Sequence, residues 1–346
     1  NEMLTGRKST IGPIHPNDHV NRGQSSNDVI PSAIHVAALT TITKELIPAL
    51  QGLYGSLKEK SIAFDDIVKI GRTHLQDAVP IRLGQEFSGY ARQMELAAES
   101  LNRLPEVLGE LALGGTAVGT GLNCVPGFAA RVIGLISQET GCCFVEAGNH
   151  FSAQGSQDAA ARTSGSLKSV AVGLMKIAND VRWLSSGPRC GIGEIRIPAV
   201  QPGSSIMPGK VNPVIPESVT QVAAQVMGND VAISIGCQSG NFELNVMLPM
   251  IAHNLLESVR LLTSAARIFS EKCVKGIVPD RKRCEAYIEN SLAMCTALAP
   301  VIGYEKAAAV AKKAYADEKT VRQVAMEEEV LAREKLDKLL DPRGMT

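Results

Sequence analysis

The run Gly203-Ser204-Ser205-Ile206-Met207-Pro208-Gly209-Lys210-Val211-Asn212-Pro213 gathers residue types that handle negative charge. Its two glycines and two prolines in eleven residues mark a loop. Asn212 is a good helix cap and Pro213 suits a first helical position, so the loop is predicted to feed a helix N-terminus. Such an end presents unpaired N–H groups and a positive dipole, which favours anions. Lys210 adds a full positive charge, and Ser204 and Ser205 add hydroxyls. The plain alternative is a structural turn before a helix.

Three other runs carry polar groups of the same kind. Gly71-Arg72-Thr73-His74-Leu75-Gln76-Asp77-Ala78-Val79-Pro80 holds a histidine, read as sitting just before a long helix. Histidine titrates near neutrality and can move a proton, although a lone histidine is more often structural. Gln24-Ser25-Ser26-Asn27-Asp28 offers small donors where a helix should begin, and a capping cluster explains it equally well. His15-Pro16-Asn17-Asp18-His19 spaces two histidines four apart, but the intervening proline makes a metal pair a weak reading.

The elements that must position these groups are mostly helical. Ala160, Thr163, Leu167, Val170, Leu174, Ile177, Val181 and Leu184 step by three and four, predicting a helix over about 154–185. At 1.5 Å per residue this rod is roughly 45 Å long. A second seam runs Val29, Ala33, Val36, Thr40, Thr43, Ile47, Leu50, Tyr54, Leu57, with Pro48 as a kink. A third runs Leu248, Ala252, Leu255, Val259, Leu262, Ala266, Phe269, and helices are also expected at about 84–112 and 213–236. The fold class is therefore all-α: an elongated bundle of about five long helices with a small helical C-terminal domain. The expected divisions are a loop-like segment at 1–28, the bundle at 29–275 and the small domain at 276–346.

Composition narrows the function. The 346 residues carry 35 Lys+Arg against 35 Asp+Glu, a zero net charge that argues against a nucleic-acid binder. Eight cysteines form no C-x-x-C pair and no zinc-like spacing with histidine, so no metal and no cofactor is expected. No apolar run approaches the roughly 20 residues of a membrane span, so no membrane partner is expected either.

Taken together the four-part pattern resembles the fumarase/aspartase superfamily. Gly203–Pro213 is similar to its signature loop, and Gln24–Asp28, Gly71–Pro80, Gly191-Ile192-Gly193-Glu194 and Ser239-Gly240-Asn241-Phe242-Glu243-Leu244-Asn245 resemble its other segments in order. Within it, His74 makes the chain most similar to the class II fumarases, since aspartate ammonia-lyases usually carry glutamine there. The resemblance implies metal-free, reversible hydration of fumarate to L-malate through an aci-carboxylate carbanion. It implies Ser204 as base, His74 as the group handling water, and Glu217 as the partner of that histidine. Ser25, Ser26, Asn27, Thr73, Lys210 and Asn212 would bind substrate, and His15, Asn17 and Asp18 match a second dicarboxylate-binding segment.

The resemblance further implies a homotetramer with sites shared between three subunits, and an additional N-terminal domain contributing a Ser-Gly-Thr segment. A place in the tricarboxylic acid cycle and a cytoplasmic location follow as expectations, or a mitochondrial one if a transit peptide has been removed. Two alternatives stay open: an aspartate ammonia-lyase, and a non-catalytic structural protein on the same scaffold, as in lens crystallins.

Overall fold

The computed structural model describes residues 2–6 and 12–346. Its long elements are α1 (Ser26–Thr41), α2 (Ile47–Ala63), α3 (Leu83–Leu101), α4 (Asp158–Leu184), α5 (Val214–Cys237) and α6 (Leu248–Lys272). Strands among the described residues form only two-stranded pairs, so the all-α expectation holds.

Every residue of the Ala160–Leu184 seam is buried. Side chains three and four apart share one helix face, so the regular spacing of α4 translates directly into a continuous inner stripe. The helix starts at Asp158 rather than near 154, because His150–Gly155 forms its own short helix capped by Asn149.

The seam from Val29 to Leu57 needs correction. Ala33 and Thr43 are exposed, and the inner face is instead Ile34, Ala38, Ile42, Leu46, Leu50 and Leu53. A π-helical turn over Ile42–Leu46 joins α1 to α2, with the Ile47 N–H bonded to the Ile42 carbonyl. Pro48 has no N–H, and its ring clashes with a carbonyl one α-turn back. The wider turn absorbs that defect with one extra residue, so the inward positions advance by four where an α-helix alternates three and four.

The α1–α2 stretch, 26–63, also corrects the membrane reading in part. It is long and apolar enough to pass a length-and-composition test for a span, yet half of its most apolar window is buried in the chain. Burial of that kind belongs to a core helix.

The chain divides into two compact units. One comprises residues 1–51, 95–175 and 219–266, with Leu39, Leu46, Leu167, Leu174, Leu255 and Leu262 in its core. The other comprises 52–94, 176–218 and 267–346. It contains the hairpin of β1 (Val68–Thr73) and β2 (Gln76–Arg82), and a T-shaped Phe64–Phe87 contact with ring centroids 5.3 Å apart. Its C-terminal helices α7 (Arg281–Asn290), α8 (Tyr304–Ala316), α9 (Val321–Glu327) and α10 (Arg333–Leu339) enclose Ile288, Val310, Val324 and Leu336, with Ile70 of β1 in the same cluster.

Candidate active site

The signature loop folds into a tight turn. Ser204 N–H donates to the Lys210 carbonyl at 3.1 Å and Lys210 N–H to the Met207 carbonyl at 3.2 Å. A Cβ on Gly203 would sit 1.9 Å from the Lys210 oxygen, so only glycine permits this closure. The closure aims backbone donors at Ser204: its Oγ accepts from the N–H groups of Ile206 and Met207, both at 3.3 Å. Two fixed N–H dipoles stabilise negative charge on that oxygen.

Asn212 does not act as the expected helix cap. Its Oδ1 accepts from Lys210 Nζ at 2.7 Å, and α5 begins at Val214. A charged donor competes better for that oxygen than a neutral N–H. Glu217 lies in the first turn of α5, with its N–H bonded to the Pro213 carbonyl.

His74 is placed differently from its expected position before a helix. It occupies the tip of the β1–β2 hairpin, where Thr73 pairs with Gln76 and only His74 and Leu75 turn the chain. A two-residue turn matched to the strand twist needs positive φ at both positions, normally supplied by Asn-Gly. His74 and Leu75 adopt φ of 54° and 59° without glycine. Left-handed backbone costs an L-residue about 1–2 kcal/mol each, and such strain concentrates at working sites. Both side chains are exposed, and the imidazole makes no hydrogen bond within the chain among the described residues.

A buried charge network holds the base of the hairpin. Lys69 is 1% exposed and Glu194 is fully buried, 3.2 Å apart. Arg72 donates to both oxygens of Glu194, at 2.9 and 3.0 Å. Burial opposes the Arg72 charge, but the bonds and field of Glu194 outweigh it and raise its pKa. Glu86 completes the group 3.1 Å from Lys69, and burial pushes its carboxyl above the ordinary range against the pull of that lysine. The Arg72 guanidinium also lies over the Tyr287 ring, whose hydroxyl donates to the Ile192 carbonyl at 2.9 Å. The Gly191–Glu194 run thus supports the strand that carries Thr73 and His74. Sequence reading missed Lys69 and Glu86 and left Glu194 without a task.

The remaining groups lie in the other compact unit. Ser25 is a true N-cap: its Oγ accepts from Asn27 N–H at 3.1 Å, and Asp28 Oδ1 accepts from Ser25 N–H at 2.9 Å. The capping reading is therefore correct in geometry, and it fixes where Ser25, Ser26 and Asn27 stand. Asp28 is buried and its Oδ2 accepts from the N–H groups of Gly114 and Thr116 at 3.1 and 2.9 Å. Asn27 Nδ2 donates to the Ala117 carbonyl at 2.8 Å. The Gly114–Ala117 loop, which sequence reading passed over, is thereby docked on the capping cluster.

Asn17 and Asp18 lie in an exposed π-helical turn, Pro16–Val20, which His15 caps. His15 Nδ1 accepts from the Asn17 and Asp18 N–H groups at 3.3 and 3.2 Å. The same nitrogen lies 3.2 Å from Asp18 Oδ2. Among the described residues no group of three or more His, Cys, Asp or Glu is placed to hold a metal ion, and all eight cysteines are free.

The long-helix scaffold is that of a lyase by family description. The family described as "Lyase" matches residues 1–228, and "Fumarase C C-terminus" matches 294–346. The class II fumarate hydratase of Bordetella parapertussis is 55% identical over 325 residues, which cover 94% of this chain and 70% of that protein. That of Nitrosomonas europaea is 54% identical over 346 residues, covering 100% and 75%. The crystal structure of class II fumarase from Schistosoma mansoni superposes with a TM-score of 0.95 at 41% identity, covering 99% of this chain and 75% of that one. A fumarate lyase:delta crystallin structure from Brucella melitensis, bound to cobalt, gives 0.94 at 46% identity, with the same coverage. The chain belongs to the class II fumarate hydratase family.

Proposed function

We propose that this chain adds water reversibly to fumarate to form L-malate. The carrying observation is the Ser204 oxygen held at two backbone N–H groups in the loop that also presents Lys210 and Asn212. Hydrogen beside a carboxylate is very weakly acidic, so both the base and the product carbanion need preorganised donors. Removing one such donor typically costs about 10²–10³-fold in rate.

In the dehydration direction, Ser204 as alkoxide takes the proton from the malate carbon that bears no hydroxyl. The electron pair moves into the adjacent carboxylate, giving the aci-carboxylate. That pair then returns to form the carbon–carbon double bond, and hydroxide leaves from the neighbouring carbon, taking a proton to depart as water. His74, at the exposed hairpin tip, handles that water, and Glu217 serves as its partner. Lys210 and Asn212 bind one substrate carboxylate, while Ser25, Ser26, Asn27 and Thr73 complete the contacts. His15, Asn17 and Asp18 hold a dicarboxylate outside the catalytic position.

The exposed, unbonded imidazole of His74 is suited to a site completed by other copies of the chain, in a homotetramer. Sedimentation should then give four copies, and a fully active monomer would end that part of the reading. Absorbance of fumarate during incubation with L-malate tests the reaction itself. Ammonia release from aspartate without fumarate formation from malate would assign the chain to the sister lyases instead.

A further inference from the structure

Loop residues Lys210 and Asn212 line a cavity of about 600 Å³ together with Asn179, Arg182 and Trp183 near the end of α4. A cavity of that size takes a small organic acid. Its two charged lining groups are both cations, Lys210 and Arg182, and no carboxylate lines it. Neither cation forms an ion pair with a described residue: Lys210 Nζ bonds to Asn212 Oδ1, and Arg182 Nη1 to Asn179 Oδ1 at 2.8 Å. Arg182 Nε is buried and has no hydrogen-bond partner.

Asn179 occupies one terminal nitrogen and fixes the plane of the group. The other terminal nitrogen bonds to no described residue and can donate to a carboxylate oxygen in the cavity that Arg182 lines. An anion in the cavity compensates both charges, neither of which has a carboxylate beside it among the lining residues.

We propose that Arg182 is a further substrate-binding residue, which with Lys210 holds the two carboxylates of a four-carbon dicarboxylic acid in this one cavity. The proposal deepens the hydratase reading and rests on it for the identity of the ligand. It gives the substrate's second negative charge a cation of its own and makes Arg182 a determinant of selectivity for diacids over monoacids.

Trp183 is the only tryptophan in the chain and lines the same cavity, so its fluorescence reports occupancy. Succinate, a four-carbon diacid that cannot react, is titrated into the full chain while emission is followed. Saturable change across the millimolar range is expected, with the dissociation constant raised about tenfold or more in R182Q and partly restored in R182K. Malate KM should rise in R182Q by a similar factor, with kcat changed less, and circular dichroism checks that the variant is folded. Unchanged Trp183 emission in the parent chain, or equal succinate affinity in folded R182Q, overturns the proposal while leaving malate turnover as a separate result. Inorganic phosphate binding as tightly as succinate overturns the diacid assignment. Succinate binding that depends on Arg182 in a chain that never dehydrates malate supports the site and refutes the hydratase reading.

Discussion

Replacing Glu194 by Gln tests whether buried charge, rather than the strand pairing, secures the histidine hairpin. The carboxylate is fully buried, receives both bonds from Arg72 at 2.9 and 3.0 Å, and lies 3.2 Å from Lys69. The amide is nearly isosteric, so no cavity opens, but it removes the charge and turns an N–H donor toward a guanidinium or ammonium group that can only donate. Lys69, itself 1% exposed, is left with Glu86 as its carboxylate partner. Breaking a buried pair by removing one partner costs about 3–5 kcal/mol. The control is Asp66→Asn, which removes an equally well-formed two-bond pair with Arg281, at 2.8 and 3.0 Å, where both side chains are about half exposed. Solvent and salt screen that pair, so the control should leave the urea midpoint essentially in place. Urea unfolding at pH 7, followed by circular dichroism, should show a large drop in midpoint for E194Q at unchanged slope. Equal midpoints for the two variants would refute the reasoning, because burial and the added contact with Lys69 are what separate them.

Ser204→Ala should reduce malate dehydration by about 10²–10⁴-fold, measured as fumarate absorbance, with the thermal midpoint unchanged because the side chain lies on a loop. Burial lowers the pKa of His35, whose Nδ1 lies 2.9 Å from the Glu110 carbonyl oxygen, below its ordinary 6.5. The unfolded chain then binds more protons than the folded one below pH 6.5, so stability is full above that pH and lost as pH falls. His35→Gln should flatten that decline in thermal midpoints taken at successive pH values. Leu75→Gly should raise stability by up to about 1 kcal/mol in urea, since glycine accepts the φ of 59° and Leu75 is largely exposed. Leu167→Ala, at a fully buried position of α4, should cost about 2–5 kcal/mol by the same assay.

What could be read in advance follows from how each feature is encoded. The α4 stripe was legible because a single helix without interruption keeps its phase, and all eight named positions are buried. The α1 stripe was not, because the π-helical turn advances the phase and nothing in Ile42–Leu46 announces it except the proline two residues on. The hairpin escaped notice because its turn is His-Leu, without the glycine that normally marks a two-residue reversal, and because Pro80 in β2 reads as a breaker. Lys69, Glu86 and Glu194 look like surface charges in a sequence. Their pairing joins positions far apart in the chain, which local spacing cannot express. The serine loop was legible as a loop, since its glycines and prolines act locally. Arg182 was not, because its neighbourhood with Lys210 and Asn212 exists only in the folded cavity they line.

The wide turn at Ile42–Leu46 also ties chain length to one ring. Pro48 and the surplus residue ahead of it form a matched pair: the ring disfavours the narrow winding, and the surplus residue supplies the slack. Losing either alone throws the downstream face of α2, with Leu50, Leu53 and Leu57, out of step with its neighbours. Losing both restores a plain helix with its inner stripe aligned. Relatives that lack this proline are therefore expected to be one residue shorter here, so that a gap in an alignment and a substitution a few positions away are one event rather than two.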